Sequence, residues 1–374
     1  MSSSTQSQRA LNFGAGPGML PVEVLEQAQK ELLNFKGTGK SIMELSHRGK
    51  EFETVLEDAK NDLRTLLTIP KEYDILFLQG GASSLFAGIP MNLCKDENDV
   101  VDYIVTGSWS KSAFQEGKLY CKANKVVDME PQKFHTVLPA QEWKFSEHPA
   151  YIQYCDNETI HGIEFPGDDI TSVLSSKGVP IVCDMSSNFL SRSVDISRYD
   201  LVFAGAQKNA GISGITIVII KNTLLSKTKS NVPSVFNFSK KSQMNSLDNT
   251  PPTFNIYVTG LILKWIIKQG GIKEMERRNK IKADTLYSFI DNSNGFYTCK
   301  IDPKYRSKMN VVFRIKDNPE LEDKFAKEAE KHNITDIKGH RSVGGLRASL
   351  YNAVTIDATN QLVSFMDKFM KENQ

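Results

Sequence analysis

The sequence lacks the features that define several classes of protein. Its 5 cysteines are scattered, odd in number and without a Cys-x-x-Cys pair, which argues against a disulfide framework and a zinc site and favours a reducing compartment. No apolar run approaches the length of a membrane span. The formal net charge of only +2 gives no reason to expect nucleic acid or an acidic membrane surface as a partner.

We expect no secretory signal at the start of the chain. Residues 1–10 are polar and have no apolar core of the secretory kind, so we predict a disordered tail there and a cytoplasmic protein. The 374 residues are enough for two domains, and 40% apolar and 24% charged residues are ordinary for a soluble globular protein. We predict a large domain over residues 11–258 and a smaller α/β domain over 259–374, on which the segment up to about residue 20 could pack.

Short apolar runs that alternate with helical patterns occupy most of the large domain. Alternation of this kind predicts crossover connections and a mostly parallel sheet, that is, an α/β fold. Helices are predicted over residues 21–35, 52–67 and 84–92, and strands over 74–78, 100–105, 151–155, 179–183, 201–204 and 214–220. Ligands bind beyond the carboxyl ends of the strands in such sheets. Ser83, Trp109, Thr159, Asp184 and Lys208 all fall there.

The pattern changes after residue 225. Residues 226–253 are polar and contain Pro251-Pro252, which predicts an extended crossing loop. Two helices, over 254–269 and 272–290, are predicted to follow. The small domain is predicted to contain strands over 311–315 and 346–350 and helices over 321–332 and from about 358.

Lys208 is the residue around which the rest of the chain is interpreted. It follows the apolar run 201–204 and precedes a second run, 214–220, which we read as two strands joined by a tight turn. Small residues surround it, so burial would lower the pKa of its amine and make the neutral form available as a nucleophile. Such an amine forms Schiff bases with carbonyl compounds, including the aldehyde of pyridoxal phosphate. An ordinary solvated lysine is the alternative for this residue considered alone.

Four further features would serve a pyridoxal cofactor. Asp184 ends an apolar run and could face the ring nitrogen, although it could instead cap a following helix. The segment 80–84, Gly-Gly-Ala-Ser-Ser, offers a phosphate its N–H groups and hydroxyls at the start of a helix, but such turns are common. Trp109 could stack on the ring or belong to the core. Thr159 could bond the ring hydroxyl.

Basic residues form a second set. The dipeptide His-Arg occurs twice, at His47-Arg48 and at His340-Arg341, and Arg347 follows the second pair. Arginine forks bind phosphate and carboxylate groups in bidentate fashion, so these residues suit a substrate that carries both. Scattered surface charge is the alternative for any one of them.

The motifs as a set resemble those of the phosphoserine aminotransferases, a family of class V aminotransferases with the aspartate aminotransferase fold (fold type I) of pyridoxal-phosphate enzymes. The matches run nearly end to end. They include Asn12-Phe13, Ser46-His47-Arg48, Gly80-Gly81-Ala82-Ser83, Gly107-Ser108-Trp109-Ser110, Asn157-Glu158-Thr159, Asp184-Met185-Ser186-Ser187, Gly205-Ala206-Gln207-Lys208-Asn209, Asn249-Thr250-Pro251-Pro252 and Gly339-His340-Arg341-Ser342-Val343-Gly344-Gly345.

The resemblance implies a role for each candidate residue. Lys208 would carry the Schiff base, Asp184 would pair with the pyridinium and Trp109 would stack on the ring. Other cofactor contacts are implied for Thr159, Gln207, Ala82, Ser83 and, from the partner subunit of a homodimer, Asn249 and Thr250. Substrate contacts are implied for His47, Arg48, His340 and Arg341, which would receive a phosphate, and for Arg347, which would receive the α-carboxylate.

One departure from the family pattern concerns the phosphate loop. Some relatives have a third glycine and an arginine where this chain has Ala82 and Ser83, so phosphate binding would here depend more on N–H and hydroxyl donors. No metal is implied.

The implied reaction is a ping-pong transamination in L-serine biosynthesis, in which glutamate and 3-phosphohydroxypyruvate give O-phospho-L-serine and 2-oxoglutarate. Two alternatives remain open from the sequence. One is another aminotransferase of the same subgroup, such as one that uses serine and glyoxylate, which would not need two His-Arg pairs. The other is a non-catalytic anion- or nucleotide-binding module on the same sheet, in which Asp184, Trp109 and Lys208 would have no reason to converge.

Overall fold

A central sheet of seven strands positions most of the candidate residues. The structure, a computed structural model, describes residues 9–167 and 169–374. The predicted tail therefore lies outside the described residues except for Arg9 and Ala10. Arg9 is held in place, because its Nη1 donates to the Leu20 carbonyl at 3.0 Å and its own carbonyl accepts from Asn333 Nδ2 at 3.1 Å.

Helices account for much of the chain. In order they are α1 Val22–Glu31, α2 Lys50–Leu67, α3 Ser83–Leu93, α4 Ser108–Gly117, α5 Asp169–Ser175, α6 Asn222–Leu225, α7 Phe238–Gln243, α8 Thr253–Lys268, α9 Gly271–Asp291, α10 Pro319–Lys331 and α11 Ile356–Glu372. Within the described ranges, none is both long enough and apolar enough to cross a membrane.

The strands divide between one large sheet and several small ones. In order they are β1 Leu11–Asn12, β2 Tyr73–Gln79, β3 Val100–Val105, β4 Lys122–Asp128, β5 Tyr151–Cys155, β6 Asn157–Glu158, β7 Ile163–Glu164, β8 Ile181–Asp184, β9 Leu201–Gly205, β10 Ile215–Lys221, β11 Tyr297–Thr298, β12 Asn310–Ile315, β13 Ile334–Thr335 and β14 Leu346–Ser349.

The large sheet has the order β2-β10-β9-β8-β5-β3-β4. Strands β4, β3, β5, β8 and β9 are parallel to one another, and β10 is antiparallel to both β2 and β9. The predicted α/β fold with a mostly parallel sheet is confirmed. Strand β4 was not predicted, because its sequence, Lys-Ala-Asn-Lys-Val-Val-Asp, is largely polar, as an edge strand permits.

Two local predictions were wrong. The connection between β9 and β10 is a loop over residues 206–214 rather than a tight turn, and Lys208 lies within that loop. The segment 226–253 is not wholly extended, because it contains α7. This helix begins after Asn237, whose side chain accepts from the Lys240 N–H, and Phe238 at its start is fully buried.

The apolar core has two parts. The first surrounds the large sheet and includes the buried face of α8 as far as Ile266 and of α9 as far as Met275. The second lies around β12 and β14 and includes Phe13, next to β1, which pairs with β13. We propose that the domains divide at this change of core, within α9, with the N-terminal strand attached to the small domain, rather than near residue 258.

Candidate active site

A cavity of about 260 Å³ lies at the carboxyl edge of the large sheet. It forms where β8 and β9 end and where the loop at residues 80–82 leads into α3. The predicted residues that line it are Ala82, Ser83, Trp109, Thr159, Asp184, Gln207, Lys208, His340 and Arg347. Side chains that are far apart in sequence therefore meet in one recess, as the parallel topology predicts.

Lys208 lies in the loop after β9, and its amine points into the cavity. Its Nζ donates to Thr159 Oγ1 at 2.8 Å and lies 5.7 Å from the centroid of the Trp109 ring. Burial lowers the pKa of the amine, while the negative charge of nearby Asp184 opposes this shift. Gly16 approaches so closely that an added Cβ would lie 3.3 Å from Lys208 Cγ, and its φ of +135° also favours glycine.

Asp184 is the last residue of β8 and is buried. Its Oδ1 accepts from the Ser186 N–H at 2.9 Å, and a series of turns follows it rather than a helix that it could cap. Burial raises the pKa of this carboxyl, while the hydrogen bond from Ser186 and the charge of Lys208 lower it. A buried carboxylate that faces a cavity can balance a positive charge on a ligand.

Trp109 occupies the first turn of α4 rather than the end of a strand, and its position depends on a buried carboxylate. Glu158 accepts hydrogen bonds from the Trp109 N–H at 2.9 Å, the Ser110 N–H at 2.8 Å and the Ser110 hydroxyl at 2.5 Å. Gly107 is required beside it, because an added Cβ would lie 2.3 Å from Glu158 Cδ. The carboxylate satisfies N–H groups that every helix leaves without partners at its start, and so fixes the indole at the cavity.

Several buried polar atoms on residues that line this cavity have no hydrogen-bond partner among the described residues. They are Trp109 Nε1, Asn157 Oδ1, Gln207 Oε1 and Arg347 Nε. Buried polar atoms almost always find a partner, so several unpartnered donors and acceptors on residues that line one cavity favour a polar ligand there. With a carboxylate, an indole and a helix N-terminus beside them, these atoms fit an aromatic ring that carries an anionic group.

Arg347 is a buried residue of β14. Its Nη1 donates to the Thr159 carbonyl at 3.2 Å, and burial lowers the pKa of its guanidinium. A partly satisfied, buried guanidinium favours an anion, and a carboxylate suits its planar fork. His340 also reaches the cavity, with its Nδ1 2.7 Å from Ser342 Oγ.

The remaining predicted residues do not line this cavity within one chain. Arg341 is exposed on the loop beside His340. His47 is half-buried and Arg48 is exposed, just before α2. Asn249 and Thr250 are exposed as well, and their assignment to a partner subunit stays a prediction.

Gln79 holds the exposed segment of Asn249 and Thr250. Its Nε2 donates to the Asn249 carbonyl at 2.6 Å and to the Thr250 carbonyl at 2.8 Å, and its Oε1 accepts from Asn249 Nδ2 at 2.8 Å. Both residues have positive φ, +58° and +36°, which is costly for a side chain with a branched Cβ such as threonine. Gln79, which precedes the loop at residues 80–82, therefore stabilises this conformation of the segment.

Some site residues were not singled out from the sequence. Asn157, Ser186 and Ser187 line the cavity, and Glu158 supports it from behind. Asn157 Nδ2 donates to Ser187 Oγ at 2.7 Å and so connects the ends of two strands. Their positions just beyond the ends of β5 and β8 could have identified them. Polar residues at the carboxyl ends of parallel strands lie together at the edge of the sheet where ligands bind.

His161 provides a prediction about stability and pH. Its ring packs on Phe134 with centroids 4.5 Å apart, and its Nε2 lies 2.8 Å from Ser108 Oγ. Burial, with a smaller contribution from His135 and His340, lowers its pKa to about 4. An unfolded histidine binds its proton near pH 6.5, so the stability from neutral His161 is complete above that pH and is lost as the pH falls toward 4.

The variant His161→Gln should therefore lose less stability in acid. Between pH 7 and pH 4.5, the free energy of unfolding of the native chain should fall by about 1–3 kcal/mol more than that of the variant. Urea denaturation at the two pH values measures the difference. Equal losses in both proteins would show that His161 is not protonated on unfolding in this range.

Comparison with known proteins places the chain in a family. The model of the class V aminotransferases matches residues 10–362. The chain belongs to this family. A probable phosphoserine aminotransferase of Dictyostelium discoideum is 66% identical, with 100% of both chains covered. The predicted family is thereby confirmed.

Solved structures of phosphoserine aminotransferases have the same fold. Phosphoserine aminotransferase from Bacillus circulans subsp. alkalophilus superposes with a TM-score of 0.93 at 43% identity, over 98% of this chain and 100% of that one. The pyridoxal-phosphate-bound phosphoserine aminotransferase from Trichomonas vaginalis superposes with a TM-score of 0.90 at 41% identity, over 96% and 100%. The fold, and not only the motifs, is shared over the full length.

Proposed function

We propose that this class V aminotransferase is a phosphoserine aminotransferase. It exchanges an amino group between L-glutamate and 3-phosphohydroxypyruvate and gives O-phospho-L-serine and 2-oxoglutarate, a step of L-serine biosynthesis. The observation that carries the proposal is the convergence of Lys208, Asp184 and Trp109 on one cavity whose lining includes unpartnered polar atoms. A simple anion-binding module gives no reason for that convergence.

The cavity residues fit pyridoxal phosphate. When bound, this cofactor supplies an aldehyde for amine exchange and a ring that withdraws electrons from the α-carbon of the amino acid. We assign Asp184 to the ring nitrogen and Trp109 to the face of the ring. Ala82 and Ser83 at the start of α3 would hold the phosphate together with Gln207, and Thr159 would bond the ring hydroxyl. The N-terminus of a helix favours binding of a phosphate through its free N–H groups and its dipole.

Lys208 is the catalytic acid and base in this proposal. Burial keeps a fraction of its amine neutral, so Nζ can take the proton from the α-carbon of glutamate. The resulting ammonium would deliver this proton to C4′ of the bound cofactor, and in the second half-reaction the amine would carry a proton from that carbon to the α-carbon of the new amino acid. Thr159, 2.8 Å from Nζ, orients the amine at the cavity wall. Asp184 would stabilise positive charge on the ring nitrogen.

The basic residues are assigned to the substrate. Arg347 would bind the α-carboxylate, since its buried guanidinium already contacts the Thr159 carbonyl beside Lys208. His340 and Arg341 would bind the phosphate together with His47 and Arg48. A homodimer with shared sites, and a cytoplasmic location, complete the proposal; the exposed and conformationally fixed Asn249 and Thr250 support a role for this segment at a partner's site.

The visible absorption spectrum tests the proposed function. Purified protein should be yellow, and L-glutamate should convert its long-wavelength band to one at shorter wavelength as the amino group is transferred to the enzyme. Addition of 3-phosphohydroxypyruvate should restore the first band. A protein without a chromophore after incubation with pyridoxal phosphate, or a band indifferent to glutamate, would contradict the proposal.

Arg341 distinguishes a phosphorylated acceptor from an unphosphorylated one. A hydrogen bond to a charged group contributes about 1.5–3 kcal/mol, so Arg341→Ala should lower kcat/KM for 3-phosphohydroxypyruvate about 10- to 100-fold. Hydroxypyruvate has no phosphate, so its kcat/KM should already be lower in the native chain. Arg341→Ala should change that value less than threefold. Equal losses with both acceptors would favour the alternative aminotransferase that acts on glyoxylate and serine.

A further inference from the structure

A second cavity, of about 440 Å³, lies beside the catalytic one and is larger than it. Residues 133–135 and 160–161 form one wall, and β12 together with residues 298–301 and the loop 339–346 forms the other. Much of the lining is apolar: Phe134, Ile160, Ile301, Val312, Phe313 and Leu346. Its size and apolar walls are typical of cavities that bind small molecules.

The ionisable side chains of this second cavity are all of basic types. They are Lys133, His135, His161, Lys300 and Arg314, and the lining contains no aspartate or glutamate. Lys300 is neutralised by Asp317 at 2.9 Å and Arg314 by Glu322 at 2.6 Å. Lys133 has no ion pair within the part of the chain that the structure describes. After these pairs are counted, the cavity keeps a positive charge, which favours an anion.

Thr298 lines the same cavity and carries a hydroxyl that can form hydrogen bonds. Its Oγ1 is buried, and within residues 9–167 and 169–374 it has no hydrogen-bond partner. A buried hydroxyl without a partner destabilises the folded chain unless a ligand or water satisfies it. The apolar walls suit the apolar body of a ligand. The unpaired cation and the free hydroxyl suit a carboxylate on the same ligand.

The cavity also touches the loop that reaches the catalytic site. Gly339, Val343 and Gly344 line the second cavity, whereas His340, in the same loop, lines the catalytic one. The loop is closed by a hydrogen bond from the Gly339 N–H to the Gly345 carbonyl at 2.8 Å and packs on Arg314, whose Nη1 lies 3.4 Å from the Val343 carbonyl. Ile160 lines both cavities. A ligand here would contact the back of the His340 loop.

We propose that the second cavity is a binding site for a small carboxylate with an apolar body, and that its occupancy orders the loop of His340 and Arg341. The effect on the loop rests on the proposed function, in which these residues bind the substrate phosphate. When the loop is already ordered, less conformational entropy is lost as the substrate binds. Occupancy therefore lowers KM for the phosphorylated acceptor and leaves kcat nearly unchanged.

The binding test uses 3-phenylpropionate, which has no amino or keto group and so cannot be transaminated. Calorimetry with the holoenzyme should detect one site per chain, and the neutral analogue 3-phenylpropan-1-ol should bind at least fivefold more weakly. Lys133→Gln and Thr298→Val should each weaken binding of the acid at least fivefold. The exposed Lys71, outside the cavity, provides the matched control Lys71→Gln, which should bind as the native chain does.

Thr298→Val separates a ligand contact from a structural one. Because the hydroxyl has no described partner, its removal should leave the midpoint of thermal unfolding unchanged or raise it. A lower midpoint with unchanged affinity would assign Thr298 to the fold and contradict its role at the site. The proposal would be overturned if the native chain did not bind the acid. It would also be overturned if Lys133→Gln and Thr298→Val bound the acid as tightly as the native chain does.

Two further measurements locate the ligand and its effect. O-phospho-L-serine at saturating concentration should leave 3-phenylpropionate bound; complete competitive displacement would place the probe in the catalytic cavity and overturn the proposal. Saturating 3-phenylpropionate should lower KM for 3-phosphohydroxypyruvate at least twofold, and an unchanged KM would refute the coupling. Transamination measured without the probe tests the proposed function separately.

Discussion

Replacement of Lys208 by alanine is expected to lower the rate of transamination by about 10²- to 10⁴-fold, the range for loss of a positioned general acid and base. The buried site leaves no equivalent base at the same place, since Thr159, which contacts Nζ, is neutral in the usual range of pH. Steady-state kinetics with glutamate and 3-phosphohydroxypyruvate measure the loss. The methyl side chain creates no buried charge, so the variant should remain folded.

Two controls make the Lys208 result specific. Lys208→Arg keeps a positive charge but cannot present a neutral amine, because an arginine guanidinium stays protonated in proteins. It should be nearly as inactive as Lys208→Ala. Lys71→Ala changes an exposed lysine and should keep full activity. Turnover within tenfold of the native rate in Lys208→Ala would contradict the assigned role.

Asp184→Asn is expected to lower kcat by about 10²-fold or more, comparable to the loss of one preorganised electrostatic contact in other enzymes. Asparagine has nearly the same shape, and its Oδ1 can still accept the hydrogen bond from the Ser186 N–H. What it lacks is the negative charge that would favour a protonated ring nitrogen. The loss should therefore appear in kcat more than in KM.

Stability distinguishes a catalytic role of Asp184 from a structural one. Burial raises the pKa of this carboxyl, so its charged form lowers the free energy of unfolding near neutral pH. Neutral asparagine removes this destabilisation. The free energy of unfolding of the chain without cofactor, measured with urea near pH 7, should be unchanged or higher in Asp184→Asn. A less stable variant with native kcat would assign Asp184 to the fold alone.

Apolar patterning was enough to predict six of the seven strands of the large sheet and the edge at which the cavity lies. Asp184 and Lys208 were located because each follows a short apolar run, and parallel strands bring such ends together. The loop at residues 206–214 was mistaken for a tight turn because its small residues read as a turn signal. In the structure Ala206 and Ala210 are buried, so these residues are small in order to pack.

Features that depend on contacts between distant segments could not be predicted from apolar patterning. Helix α7 lies in a polar stretch and is stabilised from elsewhere, since Asn92 Oδ1 accepts from the Phe238 N–H at 3.0 Å. Glu158 resembles any acidic residue until the N–H groups of α4 are placed around it. The role of Asn249 and Thr250 likewise depends on a second chain in our proposal, which no periodicity within one chain encodes.

Reduction with borohydride, followed by mass mapping of the peptides, tests most directly whether Lys208 is the amine that meets the cofactor. We expect the added mass of reduced pyridoxal phosphate on the peptide that contains Lys208. The informative competitor is Lys282, whose pKa burial lowers to about 7, but whose Nζ donates to the carbonyls of Leu350, Tyr351 and Val354 at 2.8–2.9 Å. Label on Lys282 or another lysine, with the Lys208 peptide unmodified, would contradict the assignment on which the proposed reaction depends.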